Sequence, residues 1–337
     1  MCFFQGTPEG HARLINEYQE LSGQPLMIAI DAEWGPGMRF KEDAMNFPRQ
    51  LTLGAIQDNL LLYEMGIEVG KQLRQIGIHV NFAPVVDVNN NPANPVINDR
   101  SFGEDIYNVT AKSYQYMRGM QDAGVMACAK HFPGHGDTDV DSHYDLPLIG
   151  HDRDRLDSLE LYPFRALVDK GIESVMVAHL NVPALDNSEN LPTTLSRPVV
   201  TGLLRDELGF DGLVFTDALE MKGVTKHYAP GEVEVKAIQA GNDVLCLPSD
   251  IGAGFNAVVE ALNSGAIQED QLEASVKRIL RAKLSLELYD GDKADPGADM
   301  FPMSGRAVKE ALIEHSVTAV SNEDDIYPIR DLNQSIA

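Results

Sequence analysis

The sequence has few cysteines, few basic residues relative to acidic ones, and no long apolar run. Three cysteines are too few for a disulfide framework and too widely spaced for a zinc ribbon. Lys and Arg number 27 against 51 Asp and Glu, and the net charge of −24 repels nucleic-acid phosphates and anionic membrane surfaces. No apolar stretch approaches the roughly 18 residues that a membrane span needs. We therefore expect no nucleic-acid partner and no membrane span.

The chain is long enough to bury a large core. At 337 residues and 44% hydrophobic composition, it fits one large barrel or two ordinary domains. The first ten residues, MCFFQGTPEG, lack the pattern of a secretory signal. Compartment and oligomeric state therefore stay open.

Short apolar runs alternate with longer amphipathic stretches along most of the chain, which is typical of β-α units that build a parallel sheet. The predicted strands are Leu26–Asp31, Ile78–Val86, Val125–His131, Ser174–His179, Gly212–Asp217 and Asp243–Leu247. The predicted helices lie near 8–22, 58–76, 105–123, 155–170, 197–208, 231–240, 252–264 and 270–286.

The predicted strands end in polar side chains, although a buried parallel strand has no structural need of them. In a TIM-type (β/α)8 barrel these positions converge on the face that carries the active site. A doubly wound sheet would instead gather ligands at one switch point, and no GxGxxG loop follows the first strand. The polar strand ends are Asp31, Asp87, Lys130 with His131, His179 and Asp217.

Both ends of the predicted barrel look incomplete. Only about 25 residues precede the strand Leu26–Asp31, so the first β/α unit is expected to be absent or distorted, with a strand fragment at Cys2–Phe4. The predicted organisation is a catalytic barrel over 1–288, a linker over 289–304 and a C-terminal tail over 305–337. The tail is expected to hold a helix, Gly305–Ser316, and a short strand, Val317–Val320.

The segment KHFPGHGDTDVDSH, Lys130–His143, has the composition of an active-site loop. It places Asp141 two residues before His143, close enough for the carboxylate to orient the imidazole and raise its basicity. Such a histidine can donate a proton to a leaving oxygen and later accept one from water near neutral pH. The pair is a candidate acid/base.

The segment GLVFTDALEM carries Asp217 at the end of an apolar strand. A carboxylate there can stabilise an oxocarbenium-like transition state and form a covalent glycosyl intermediate. The alternative is a plain helix cap.

KHFPGHG followed by DSH, and then FTDALEM, resembles glycoside hydrolase family 3 of the bacterial β-N-acetylglucosaminidase type. Further matching motifs are IDAEWG, NFAPVVDV, DRSFG, VAH, LGFDG and GNDVL, and together they span residues 26 to about 286. A relative of this kind would be a bacterial protein of the cytoplasm or the periplasm. Tail residues Ala311–Arg330 resemble the beginning of the second domain of longer members.

The resemblance implies a retaining glycosidase without metal or cofactor. Asp217 would be the nucleophile, His143 the acid/base and Asp141 its partner. The substrate would be a small carbohydrate or a muropeptide carrying β-linked N-acetylglucosamine, because this family type has its acid/base inside the barrel. Residues implied in substrate binding are Asp31, Arg39, Arg100, Lys130, His131 and His179.

Other readings remain open from the sequence. One alternative is a family 3 β-glucosidase, although by the resemblance such members generally take a glutamate acid/base from a second domain. Another is a β-N-acetylglucosaminide phosphorylase, because a histidine acid/base leaves room for phosphate where a carboxylate would repel it. Trp34, where relatives carry a glycine, together with the short start, also fits a sugar-binding barrel that has lost activity. A metal-dependent hydrolase would use the ligand types of the loop, His131, His135, Asp137, Asp141 and His143, although their spacing matches no standard zinc pattern.

Overall fold

The computed structural model describes residues 1–142 and 144–322. Its centre is a curled parallel sheet whose six strands follow one another in chain order. Residue Val244 extends this order by a single parallel bridge to Phe215. The strands are β1 (Cys2–Phe3), β2 (Ala29–Ile30), β3 (Val80–Asn81), β4 (Met126–Phe132), β5 (Ser174–Val177) and β6 (Leu213–Thr216).

Helices connect successive strands, because neighbouring parallel strands need a crossover connection, which is usually a helix. A π-helix, Pro198–Glu207, precedes β6. The α-helices are α1 (Pro8–Leu21), α2 (Gly37–Phe40), α3 (Gln50–Gly54), α4 (Leu60–Gln75), α5 (Ile106–Asp122), α6 (Arg153–Ser158), α7 (Tyr162–Asp169), α8 (Lys222–Thr225), α9 (Glu232–Ala240), α10 (Ile251–Asn263), α11 (Glu269–Ser285) and α12 (Met303–Ser316).

Side chains of the strands alternate between two cores. Ile30, Ala127 and Ala129 belong to the large core shared with the helices. The inner core holds Ala29, Val80, Phe82, Met126, Cys128, Met176, Leu213 and Phe215. Because side chains alternate with a period of two, residues two positions beyond Ala29, Cys128 and Phe215 share the inner side. Those residues are Asp31, Lys130 and Asp217.

Most predicted elements occur where the sequence places them, but most strands are shorter, and the helix predicted near 155–170 is divided into α6 and α7. Each of β2 to β6 lies within or within one residue of its predicted interval, whereas Asp243–Leu247 contributes only the bridge at Val244. The predicted strand Val317–Val320 is wrong: these residues follow the end of α12 and form no strand. Val317 is 75% exposed and Val320 95% exposed, so no neighbouring strand pairs with them.

The predicted (β/α)8 barrel, with its first β/α unit absent or distorted, is seen only in its coarser part. The described residues form an α/β fold with a curled six-stranded parallel sheet, and eight paired strands are not seen. The first strand, β1, is two residues long, as are β2 and β3. It nevertheless pairs with β2, Cys2 with Ala29 and Phe3 with Ile30.

The segment predicted to be a linker and tail packs against the sheet domain. The Asn16 side chain bonds both the carbonyl and the N–H of Ala294, and the Met300 carbonyl accepts from the Met45 N–H. Leu312 in α12 is fully buried in the large core. Residues 323–337 lie outside the described part of the chain, and the domain boundaries stay a prediction.

In the two described ranges, every helix is too short or too polar to cross a lipid bilayer.

Candidate active site

A cavity of about 420 Å³ opens at the carboxyl end of the sheet. In a parallel α/β sheet, this is the end at which loops assemble active sites. Six of the predicted site residues line it: Asp31, Arg39, Arg100, Lys130, His131 and Asp217. A larger groove, about 650 Å³, lies among α1 and residues 287–295 and contains none of the predicted site residues.

One wall of the cavity is a chain of alternating charges. Asp31 accepts from Arg39 at 2.7 Å and from Lys130 at 2.7 Å. The Lys130 ammonium lies 2.8 Å from Glu33. Arg100 donates to both carboxylate oxygens of Glu33, at 2.7 and 3.0 Å. Each charge has an opposite charge as its neighbour, and bidentate pairs of this kind fix orientation as well as charge.

The network keeps its ionisable groups charged. Burial alone raises the pKa of Glu33, but Arg100 and Lys130 outweigh it and hold that pKa well below its ordinary value. Burial likewise lowers the pKa of Lys130, and the carboxylates Asp31 and Glu33 reverse this and raise it. Sequence reasoning quoted Glu33 only within a motif and missed its place in the site.

His131 is oriented by a fully buried carboxylate, Asp87. The His131 Nδ1 lies 2.8 Å from an Asp87 oxygen, and the backbone N–H groups of His131 and His135 also donate to that carboxylate. Burial raises the pKa of Asp87, but His131 and these hydrogen bonds lower it below its ordinary value. Because Asp87 accepts at Nδ1, this nitrogen carries a proton, and the other ring nitrogen faces Arg100 at 3.3 Å.

Asp217 follows β6 and opens into the cavity. Its Oδ1 accepts from the Ala218 N–H at 2.8 Å. Burial raises the pKa of Asp217, yet His179, His131, the Ala218 N–H and Lys130 together hold it below its ordinary value. The group is therefore a carboxylate at neutral pH, the form that a nucleophile needs.

The loop after β4 is held by neutral polar contacts. His135 is buried, with Thr138 Oγ1 2.8 Å from its Nδ1 and Ser142 Oγ 3.1 Å from its Nε2. Burial, followed by the nearby His131, lowers the pKa of His135 to about 4, so the ring is neutral near pH 7. The contact between His135 and Ser142 holds Ser142 in the cavity lining, next to the partly buried Asp141.

The remaining two predicted site residues are His143 and His179. His143 lies outside the described residues, so its pairing with Asp141 stays a prediction. His179 is fully buried, bonds Thr194 and Ala218, and is not among the residues that line the cavity.

The metal-hydrolase alternative receives little support from the described residues. The group whose ligand atoms converge within 4.8 Å is Asp137, His151 and Glu160, of which only Asp137 belongs to the predicted ligand set. Arg155 lies 3.2 Å from Glu160 and 4.0 Å from Asp137. A guanidinium therefore already supplies positive charge to both carboxylates.

The family model described as the glycosyl hydrolase family 3 N terminal domain matches residues 6–282. The chain belongs to glycoside hydrolase family 3. That match covers strands β2 to β6 and every residue of the cavity lining except Cys2 and Phe4.

Known proteins and solved structures match this chain over nearly its whole length. Beta-hexosaminidase A of Pseudoalteromonas piscicida is 36% identical over 94% of this chain and 57% of its own length. The structure of a family 3 beta-N-acetylglucosaminidase from Paenibacillus sp. str. FPU-7 is 40% identical, with a TM-score of 0.89, over 94% of this chain and 62% of that one. Beta-glucoside phosphorylase BglX superimposes with a TM-score of 0.90 at 26% identity, over 97% and 61%. The chain thus spans about three fifths of the length of these relatives.

Proposed function

We propose that this chain is the catalytic part of a retaining family 3 glycosidase that releases β-linked N-acetylglucosamine. The observation that carries the proposal is the shared cavity: the Asp217 carboxylate opens into the same space as Asp31, Arg39, Lys130 and His131. A nucleophile and a set of fixed, charged hydrogen-bonding groups around one small pocket suit a polyhydroxyl ring.

The chemistry needs two displacements at the anomeric carbon. In the first, an Asp217 oxygen forms a bond to that carbon while the glycosidic C–O bond breaks, and His143 protonates the leaving oxygen. In the second, His143 takes a proton from water, which attacks the same carbon and releases Asp217. Two inversions amount to retention. Asp141 is proposed to hold the His143 ring in both steps.

The charge network is proposed to hold the sugar in place. Asp31 accepts hydrogen bonds, Arg39 and Arg100 donate them, and Lys130 links two of the carboxylates. Because these groups are already fixed by one another, little side-chain entropy remains to be lost when the sugar binds. His131, oriented by Asp87, would contact the sugar ring from the side of β4.

The proposed substrate rests on the names of the relatives. The names of the Pseudoalteromonas and Paenibacillus proteins support an N-acetylhexosaminide, for which we propose peptidoglycan fragments as the source.

We also propose that the curled sheet is the barrel of a (β/α)8-type fold. Cys2 of β1 and Cys246 beyond the last bridge line one cavity, so the two edges of the sheet approach each other. The boundaries at 288 and 304 remain part of this proposal.

The first test compares hydrolysis of p-nitrophenyl β-N-acetylglucosaminide with that of the β-glucoside. The wild type is expected to hydrolyse the first and not the second. Asp217→Ala is expected to lower kcat by about 10⁴-fold or more, as for loss of a group that acts within a catalytic unit. Asp211→Ala, an exposed carboxylate just before β6, is the matched control. An active Asp217→Ala variant would refute the assignment.

The acid role of His143 has a separate test. A p-nitrophenolate leaving group needs little protonation, so His143→Ala should lose less activity on it than on an unactivated disaccharide. Equal losses on both substrates would contradict general-acid catalysis by this residue.

Phosphorolysis is the second candidate, favoured by the similarity to a beta-glucoside phosphorylase. Turnover that requires phosphate and yields a sugar 1-phosphate would replace hydrolysis in the proposal. The alternative of a barrel that only binds sugars was suggested in part by Trp34. The Trp34 ring packs under Arg49, at 4.5 Å from its guanidinium, and is not part of the cavity lining, so it does not favour this alternative.

A further inference from the structure

His179 is a buried polar residue that the proposed mechanism does not use. It follows β5 and has no exposed surface. Its Nε2 lies 2.9 Å from the carbonyl oxygen of Ala218, and its Nδ1 lies 2.7 Å from Thr194 Oγ1. The ring therefore connects the residues that follow β5 and β6, next to Asp217, and is not part of the cavity lining.

The directions of these hydrogen bonds limit the protonation of the ring. A carbonyl oxygen only accepts, so Nε2 carries a proton. Thr194 has a single hydroxyl proton and lies 2.5 Å from the Ala178 carbonyl. That proton goes either to Nδ1, which leaves the ring neutral, or to Ala178, in which case Nδ1 donates to Thr194 and the ring is a cation.

The contacts of His179 lead directly to Asp217. Ala218 donates its N–H to the Asp217 carboxylate at 2.8 Å and accepts at its own carbonyl from His179. The Asp217 N–H in turn donates to the Val177 carbonyl at 2.9 Å. The turn that carries the carboxylate is thus pinned to β5 at both ends, by a backbone bond and by the imidazole.

We propose that His179 is a positioning residue for the nucleophile: it fixes the Asp217–Ala218 turn through the Ala218 carbonyl and places positive charge behind the carboxylate. This differs from the substrate contact that the family resemblance suggested, and it rests on the proposed function. A sugar in the cavity would meet Asp217 but not the imidazole behind it.

Other groups also act on the Asp217 carboxylate. Lys130 and His131 reach it from the end of β4, and both lower its pKa, as His179 does. His135 and the thiol of Cys246 also interact electrostatically with Asp217. The other titratable groups of the described lining are Cys2, Asp31, Glu33, Arg39, Arg100 and Glu220. His143 lies outside the described residues. Lys130 and His131 line the cavity, whereas His179 does not, so its removal leaves the lining itself unchanged.

The test uses the full chain with p-nitrophenyl β-N-acetylglucosaminide. His179→Gln keeps a donor for Ala218 but loses the charge, and we expect kcat to fall about 10- to 100-fold, the range for a misplaced reacting group. KM should stay within about twofold, because no sugar contact is lost. Loss of the positive charge raises the pKa of Asp217, so the acid limb of the kcat/KM profile should move to higher pH.

Thr194 variants supply a second arm if His179→Gln does not fold. Thr194→Val removes the hydroxyl at nearly constant volume and should shift kcat and the acid limb in the same direction by less. Thr194→Ser restores the hydroxyl and should recover most of the loss. Thr201→Val is the control, since its hydroxyl bonds the distant Ala240 carbonyl.

The outcomes separate this proposal from the proposed function. A raised KM with unchanged kcat and acid limb in the folded variants would make His179 a substrate contact and overturn it. Wild-type kinetics in both His179→Gln and Thr194→Val would reduce the residue to a packing role. A wild type that hydrolyses no N-acetylglucosaminide would instead refute the proposed function, whatever the His179 variants show.

Discussion

At the scale of single residues, burial decides which ion pairs are expected to stabilise the fold and which contribute little. The Glu33 side chain is 1% exposed and shares two cations, Arg100 and Lys130. The pair of Arg13 and Glu9 on α1 has a similar length, 2.8 Å, but both side chains are more than 60% exposed. Water and salt screen the exposed pair, whereas the buried one is screened little.

Glu33→Gln should therefore destabilise the fold by about 3–5 kcal/mol, because two buried cations lose a counter-charge. Glu9→Gln is the control and should leave the urea midpoint unchanged. The two measurements are urea unfolding curves at pH 7. A Glu33→Gln curve that overlays the wild type would show that the network does not stabilise the fold.

The same substitution has a pH signature. The pKa of Glu33 is lowered in the folded chain. Its stabilisation is therefore present above the unfolded-state pKa of about 4.3 and is lost as the pH falls toward the folded-state value. The stability difference between wild type and Glu33→Gln should shrink as unfolding is measured at lower pH.

At the scale of elements, the contact between α4 and α5 depends on glycines. A Cβ on Gly119 would lie 2.1 Å from the Tyr63 carbonyl, and one on Gly66 would lie 2.5 Å from the Tyr116 carbonyl. The two backbones approach more closely than any side chain allows. Periodicity predicted both helices, but it carries no information about which of their faces meet.

Gly119→Ala should destabilise the fold by roughly 1–3 kcal/mol, the usual cost of overpacking, despite the better helix propensity of alanine. Gly202→Ala in the π-helix is the matched control. An added Cβ there has 4.0 Å to its nearest atom, so that variant should be neutral or slightly more stable. Thermal unfolding of the two variants decides, and equal midpoints would contradict the close approach.

At the scale of the whole molecule, α12 connects the end of the chain to helices near its start. Ser304 donates to Glu68, 236 residues away, and Gly305 faces Met45 and Gln72. Leu312 is buried while its neighbour Ile313 is 47% exposed. The helix thus contributes to the large core, although composition predicted a tail.

Leu312→Ala should lower the stability of the whole domain by about 2–5 kcal/mol, because a filled core position becomes a cavity. Ile313→Ala is the adjacent control and is expected to change stability by less than about 0.5 kcal/mol. Urea unfolding followed by circular dichroism measures both. A wild-type midpoint for Leu312→Ala would contradict the contribution of α12 to the large core.

Local pattern was enough to predict the order of strands and helices, and the side to which Asp31, Lys130 and Asp217 point. Both follow from periodicities that act within a few residues of the chain. The partners of those residues could not be predicted in this way. Asp31 meets Lys130 across 99 residues, and Glu33 meets Arg100 across 67. Such contacts exist only once the sheet curls and brings its strand ends around one cavity. The same holds for His179, which follows a strand as its neighbours do but is fully buried, with Thr194 and Ala218 as its hydrogen-bond partners.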